Sequence, residues 1–259
     1  MEVEKTTLLE IRDGIAILTI NRPVVRNAVN TACWNDISAF IDEVSTNTEI
    51  RVAIITGAGD KIFAAGADLK MLHARTAVSA LESIGQGILR RLELCSKPVI
   101  AAVNGLAFGA GCEIAIACDF RIVSENAKFA LPEVSLGVLP GAGGTQRLSK
   151  LIGLGRAKDV ILIGRTIEAK EAVQIGLATK CVPQGESLNT ALEFAAKIMS
   201  KGPLAVALAK KAVNISLSAD QDTGLLAELL GFSILCDSHD KKEGIEAFFE
   251  KRPPNYKGF

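Results

Sequence analysis

The chain has 259 residues, 49% hydrophobic and 22% charged, with 29 basic against 29 acidic side chains and a formal net charge of zero. That composition excludes a disordered chain and is enough to bury a substantial core, in one large domain or in one domain with an appendage. No overall basicity argues for nucleic acid or an anionic membrane, although a local basic patch is compatible with the balance, and no apolar run reaches membrane-spanning length.

Thr6 to Ile20 predicts two strands around Asp13-Gly14, a hairpin signal, and Arg22-Pro23 ends that hairpin. Asn27 to Asn30 is a polar turn. Thr31 to Val44 has helical spacing, with Trp34, Ile37, Ile41 and Val44 on one face. Val52 to Thr56 is a short apolar strand of the buried type. Gly57 to Gly66 reads as a loop leading to a helix start at Asp68, where the helix dipole favours an acid. Ser79 to Leu94 is a longer amphipathic helix. Val99 to Val103 is a strand that feeds a glycine-rich turn and a short apolar helix carrying Glu113. Glu133 follows Pro132, and Gly141, Gly143 and Gly144 form a second glycine cluster. Leu148 to Ile163 reads as helix broken by Gly153 and Gly155, Ile167 to Gln174 as a helix stopped by Gly176, and Leu177 to Val182 as a strand. Four helices follow: Leu188 to Met199, Pro203 to Ser216, Thr223 to Leu235 and Lys241 to Phe249. No exact repeat is visible. The loose cycle of strand, turn and helix predicts an α/β layered core over residues 1–185 and a helical region over 186–259.

The six cysteines, Cys33, Cys95, Cys112, Cys118, Cys181 and Cys236, contain no C-x-x-C pair and read as reduced core residues of a cytoplasmic protein. His73 and His239 lie far apart with no zinc-type spacing, so no metal site is expected. The opening MEVEKTTLLE is read as neither a signal nor a transit peptide.

Three pieces carry possible chemistry. Phe63-Ala64-Ala65-Gly66-Ala67-Asp68 would let a ligand approach the backbone beside free N–H groups, but alone it is better read as a tight strand-to-helix turn. Ala110 and Gly111 stand where a helix begins, and Glu113 falls in its first turn. An exposed acid there would need no function, since it stabilises the helix by roughly 0.3–1 kcal/mol. The neighbours Ala107, Phe108, Ile114, Ala115 and Ile116 make exposure of Glu113 unexpected, which favours a functional carboxylate. Leu131-Pro132-Glu133 with the second glycine cluster is uninformative by itself. Gly109-Ala110-Gly111 also matches a dinucleotide-binding fingerprint in part, but Ile114 occupies the third glycine position.

Taken together, AAGADLKML at 64–72, AAVNGLAFGAGCEIAIACD at 101–119 and PEVSLGVLPGAGGTQRL at 132–148 resemble the enoyl-CoA hydratase (crotonase) family, over nearly the full length of the chain. The resemblance implies a spiral of repeated ββα units with a C-terminal helical trimerisation region, assembled as a trimer or a dimer of trimers. It implies an acyl-CoA thioester substrate, with no cofactor beyond the CoA that the substrate carries, and no nucleic-acid or membrane partner.

By the same resemblance, the backbone N–H groups of Ala67 and Ala110 would form an oxyanion hole, and Glu113 and Glu133 would be the catalytic pair. Gly141 would lie near the attacking water. Ala65, Asp68, Leu69 and Lys70 would line the CoA path, and Lys61 and Lys251 would meet its phosphates, Lys251 from a neighbouring subunit. Residues such as those in Met71 to Ser83 would set the depth of the acyl pocket. Many members have glycine where Ala110 stands, so its methyl must point away from the thioester. Retention of both glutamates favours hydration of a trans-2-enoyl-CoA, or the reverse dehydration. The alternatives are an enoyl-CoA isomerase and a non-catalytic module that binds a CoA ligand or RNA.

Overall fold

The computed structural model describes residues 5–82 and 84–259, so Ser83 and the first four residues lie outside it. Strands β1 (Thr7–Arg12) and β2 (Ile15–Ile20) pair antiparallel with Arg12 opposite Ile15. Asp13 and Gly14 have φ of 48° and 76°, the left-handed pair that a two-residue hairpin turn requires. Helix α1 (Thr31–Thr46) is capped by Asn30, whose side chain accepts the Cys33 N–H at 2.9 Å. Its buried stripe, Cys33, Trp34, Ile37, Phe40, Ile41 and Val44, follows the helical period.

From here the chain winds in similar turns. Strand β3 (Val52–Gly57) leads to β4 (Ile62–Ala64) and helices α2 (Leu69–His73), α3 (Ala77–Leu81) and α4 (Ile84–Leu94). Strand β5 (Val99–Val103) leads to β6 (Leu106–Phe108) and α5 (Ala110–Ala117). Strand β7 (Phe120–Ser124) leads to β8 (Lys128–Ala130), a 3-10 turn at Glu133–Leu136, and helices α6 (Gly144–Ile152) and α7 (Leu154–Ile163). Strand β9 (Ile167–Glu168), helix α8 (Ala169–Gln174) and strand β10 (Lys180–Val182) close the winding. The long strands form a sheet in the order β1-β2-β3-β5-β7-β10, and the short ones a second sheet in the order β4-β6-β8-β9. Successive turns stack in parallel, β3 on β5 on β7 and β4 on β6 on β8. This is the expected spiral of ββα units.

The period of two along each strand divides the interior. Ala53 and Ile55 of β3 face a core shared with α1, α4 and α5, while Val52 and Ile54 face a second core. Helix α9 (Ser187–Met199) closes that second core with Ala191 and Ala195. Successive turns also touch backbone to backbone. A Cβ on Gly105 would lie 2.0 Å from the Lys61 carbonyl oxygen, so only glycine fits this corner. Asn104 holds the same corner from inside, donating to the carbonyls of Gly57 and Gly59 at 3.0 and 2.8 Å.

Helices α10 (Pro203–Ile215), α11 (Gln221–Cys236) and α12 (His239–Glu250) extend beyond the spiral. The four C-terminal helices thus fall where the sequence places them, within a residue or two. Among the described residues no helix is long and apolar enough to cross a membrane.

Several expectations need correction. The Gly57–Gly66 loop contains strand β4, and the glycine turn before Glu113 contains β6. Three residues are too few to display a period, and these strands exist because the neighbouring turn offers a partner. The predicted Ser79–Leu94 helix is two, with Thr76 and Ser79 closing a capping box on α3, which ends at Leu81. Only Gly153 breaks the predicted Leu148–Ile163 helix. Its φ of 81° is left-handed, whereas Gly155 sits exposed within α7. Ile167 and Glu168 pair with β8 instead of opening α8, and only Lys180–Val182 of the predicted Leu177–Val182 strand is paired.

Candidate active site

All eight residues of α5 are buried, and Glu113 is only 3% exposed. A solvated helix-end carboxylate is therefore ruled out. Glu113 Oε1 accepts the N–H groups of Ala142 at 2.7 Å and Gly144 at 2.9 Å. Burial pushes this carboxyl above its ordinary range, against the pull of those two N–H groups and of the Arg147 cation. Both donors come from the glycine cluster, whose turn leaves several N–H groups without helical or strand partners. The cluster signals the donors; the sequence does not say which carboxylate receives them.

Glu133 opens the 3-10 turn after β8 and is half-buried. Its Oε2 is buried and has no hydrogen-bond partner among the described residues. Burial, with the charge of Glu113 added, pushes its carboxyl up to about 7. Its Oε1 lies beside Gly109, 3.1 Å from where a Cβ on that residue would stand. Gly109 has φ of 51° and precedes α5, so its bare Cα brings the helix start and the Glu133 carboxylate together.

Gly66 completes the cluster. A Cβ on Gly109 would lie 3.4 Å from the Gly66 Cα, so the 66–67 and 109–110 backbones run side by side next to Glu133. Ala67 forms a parallel bridge with Val29 in which Gly66 O accepts and Asp68 N–H donates, at 2.8 and 3.0 Å. In such a bridge the central residue turns its own N–H to the opposite side. Ala110 is the first residue of α5, where an N–H has no intrahelical acceptor. The Ala110 side chain is 6% exposed and belongs to the core cluster, so its methyl packs inward.

Gly141 is exposed and adjoins the loop, but Glu113 bonds its neighbours Ala142 and Gly144. Ala65 is half-buried and donates its N–H to Arg26 O at 3.1 Å. The Asp68 carboxylate caps α2 through the Lys70 N–H at 3.1 Å and pairs with Arg22 at 3.4 Å. Leu69 and Lys70 are exposed on α2, and Lys61 is exposed just before β4. Lys251 ends α12, and no hydrogen bond or ion pair among the described residues joins it to either glutamate. Of the Met71–Ser83 stretch, Val78 and Leu81 are 70% and 90% exposed, and Ser83 is not described. The sequence singles out the Gly141–Gly144 cluster without assigning Ala142 and Gly144 as the donors to Glu113, and Arg147 is missed.

Two carboxylates in different environments, beside two segments with outward N–H groups, can move protons in and out while stabilising a nearby anion. Among the described residues no group of three or more His, Cys, Asp or Glu side chains is placed to hold a metal ion.

Known proteins resemble this chain in sequence and fold. A sequence model of the enoyl-CoA hydratase/isomerase family matches residues 10–258. The short-chain-enoyl-CoA hydratase of Clostridium acetobutylicum is 46% identical over 247 residues, 95% of each chain. The crotonyl-CoA hydratase of Syntrophomonas wolfei is 44% identical over 251 residues, 96% of each chain. A crystal structure of an enoyl-CoA hydratase from Bacillus anthracis superposes with a TM-score of 0.94 at 39% identity, covering 98% of this chain and all of that one. With motif order, fold and near-complete coverage in agreement, this chain belongs to the enoyl-CoA hydratase/isomerase, or crotonase, family.

Proposed function

We propose that the chain is an enoyl-CoA hydratase, adding water reversibly to a trans-2-enoyl-CoA to give a 3-hydroxyacyl-CoA. The observation that carries this reading is the pairing of unlike carboxylates: Glu133 has a buried, unpartnered oxygen, and Glu113 is held by two backbone N–H groups. In the hydration direction Glu113 accepts a proton from water as the oxygen attacks Cβ, and Glu133 delivers its proton to Cα. One water supplies both the hydroxyl and, after proton exchange between the two carboxyls, the Cα hydrogen. Charge that develops on the thioester oxygen meets the N–H groups of Ala67 and Ala110. Losing one such donor typically costs about 100–1,000-fold in rate. Gly141 lies near the water. No cofactor beyond the substrate's CoA enters this scheme.

The same proposal assigns the CoA path to the 65–70 segment, where Asp68 shapes the path by capping α2 and pairing with Arg22. Lys61 meets the phosphates, and Lys251 reaches them from a neighbouring copy. The spiral over 1–185 is the catalytic unit, and residues 186–259 assemble a trimer or a dimer of trimers. Helix α11 supports that division, because none of its 16 residues is buried in the single chain. Six free cysteines, four of them buried, support a cytoplasmic, reducing setting.

Loss of the enoyl-thioester absorbance on crotonyl-CoA and longer enoyl-CoAs tests the proposal. The wild type is expected to turn over, and Glu113→Gln and Glu133→Gln each to lose about 100- to 10,000-fold. Near wild-type hydration by both variants would refute the mechanism. CoA affinity without an absorbance change would identify a binding module, and a shifted double bond without added water an isomerase.

A further inference from the structure

Arg147, in the first turn of α6, has a side chain only 12% exposed. Its Nη1 donates to the Ala142 carbonyl at 2.9 Å. That carbonyl lies in the chain between the two N–H groups, of Ala142 and Gly144, that hold Glu113. Its Nη2 meets Glu93 Oε2 at 3.3 Å, on α4, and Arg90 holds the same Glu93 oxygen at 2.6 Å. Gly143 has φ of 103°, and a Cβ there would lie 2.1 Å from Arg147 Nη1. The glycine thus leaves the space that the guanidinium fills. A buried cation is costly unless it is paired, as Glu93 pairs this one, whereas the Ala142 carbonyl alone could be satisfied by a neutral amide.

We infer that Arg147, anchored by Glu93, is a positioning residue that clamps the Ala142–Gly144 loop onto Glu113 and places a fixed positive charge behind that carboxylate. The inference rests on the proposed role of Glu113 as acceptor of the water proton. Burial pushes a carboxyl so placed upward, towards the protonated form that cannot take it. The Arg147 cation opposes that tendency, and the loop it holds aims the carboxylate.

The other charges around α5 leave Arg147 as the cation acting on Glu113. On α6, Lys150 is turned to the Leu217 carbonyl. On α4, Arg91 pairs with Asp42, and Arg90 with Glu93. Strands β4 and β6 carry no titratable side chain. Cys112 on the same helix and Glu133 across the site bring no positive charge, and the buried Arg121 is turned to the far end of α5, where it donates to the Ala115 and Cys118 carbonyls at 3.3 and 2.7 Å.

The test is the pH profile of crotonyl-CoA hydration by Arg147→Gln, Arg147→Lys and Glu93→Gln. Arg147→Gln is expected to lower kcat about 10- to 100-fold, with KM little changed. Its acid limb moves to higher pH, because removing the cation raises the Glu113 carboxyl further. Arg147→Lys keeps the charge but loses the fork, so it returns the limb towards wild type without restoring kcat. Glu93→Gln loosens the anchor yet leaves the cation, so it lowers kcat without raising the limb. Unchanged kcat and limb in Arg147→Gln would overturn the inference, as would a loss confined to thermal stability. Where Arg147→Gln fails to fold, full kcat in both other variants overturns it equally. Infrared titration of the Glu113 carboxyl, assigned with Glu113→Gln, reads the same shift without turnover. A wild type that hydrates nothing therefore sinks the functional reading, while an unmoved Glu113 band in Arg147→Gln sinks this one.

Discussion

Strand β3 and helix α11 are both strongly apolar, and their surroundings are opposite. All six residues of β3 are buried, with alternate side chains in two cores. None of the 16 residues of α11 is buried, and Leu225, Leu226, Leu229, Leu230, Phe232 and Ile234 are each more than half exposed. The same composition therefore does two jobs. In the spiral it is satisfied within the chain and fixes the site. In the C-terminal helices it forms a surface far more apolar than scattered exposed residues require, of the kind that marks an interface.

The strongest way to break this contrast is to charge the helix. Leu229→Glu with Leu230→Glu is expected to abolish the proposed homo-oligomer, read as a fall in mass by sedimentation, while circular dichroism of the spiral persists. KM for enoyl-CoA should rise more than kcat falls, since the Lys251 contact proposed to come from a neighbour would be lost while both glutamates remain. Retention of the oligomer would show that α11 faces something else. A smaller change sharpens the contrast from the other side. Ile54 is fully buried, and Ile54→Ala should cost about 2–5 kcal/mol by chemical denaturation. That cost should be independent of protein concentration. Leu229→Ala should instead produce a midpoint change that depends on concentration, as coupling to assembly requires.

What the sequence made legible follows the same division. The runs in β3 and β5 were readable because burial on both faces erases polar alternation. The stripe of α1 was readable because one helix face carries it. Strands β4, β6 and β8 were not, because three residues have no period and their pairing is set by the next turn of the spiral. At the site, Glu113 was exposed as unusual by its apolar neighbours. Its real partners, Ala142 and Gly144, lie 29 and 31 residues away and contribute only backbone, so no side chain announced them. Arg147 gave no signal either, since a guanidinium placed by the bare Cα of Gly143 looks in sequence like any surface arginine.

Glu133 is the exception inside the spiral, and it yields the smallest effect. Its 3-10 turn holds no fully buried residue, yet its own carboxyl is raised from 4.5 to about 7, chiefly by burial. A carboxyl raised on folding binds its proton more tightly in the folded state than in the unfolded one. Its contribution to stability is thus fully present below the unfolded value and is lost as pH rises through about 7. Glu133→Gln removes that titration while keeping the shape. Its melting temperature relative to wild type should therefore be higher at pH 8 than at pH 5, with little or no gain at the lower pH. Activity moves the opposite way, because the proton that burial retains is the one the proposed reaction delivers to Cα. A variant that gains stability at alkaline pH and loses hydration at every pH would place the cost and the chemistry on the same oxygen. Equal melting-temperature differences at the two pH values would mean that Glu133 is solvated like an ordinary surface acid, and the contrast between spiral and helices would then hold without exception.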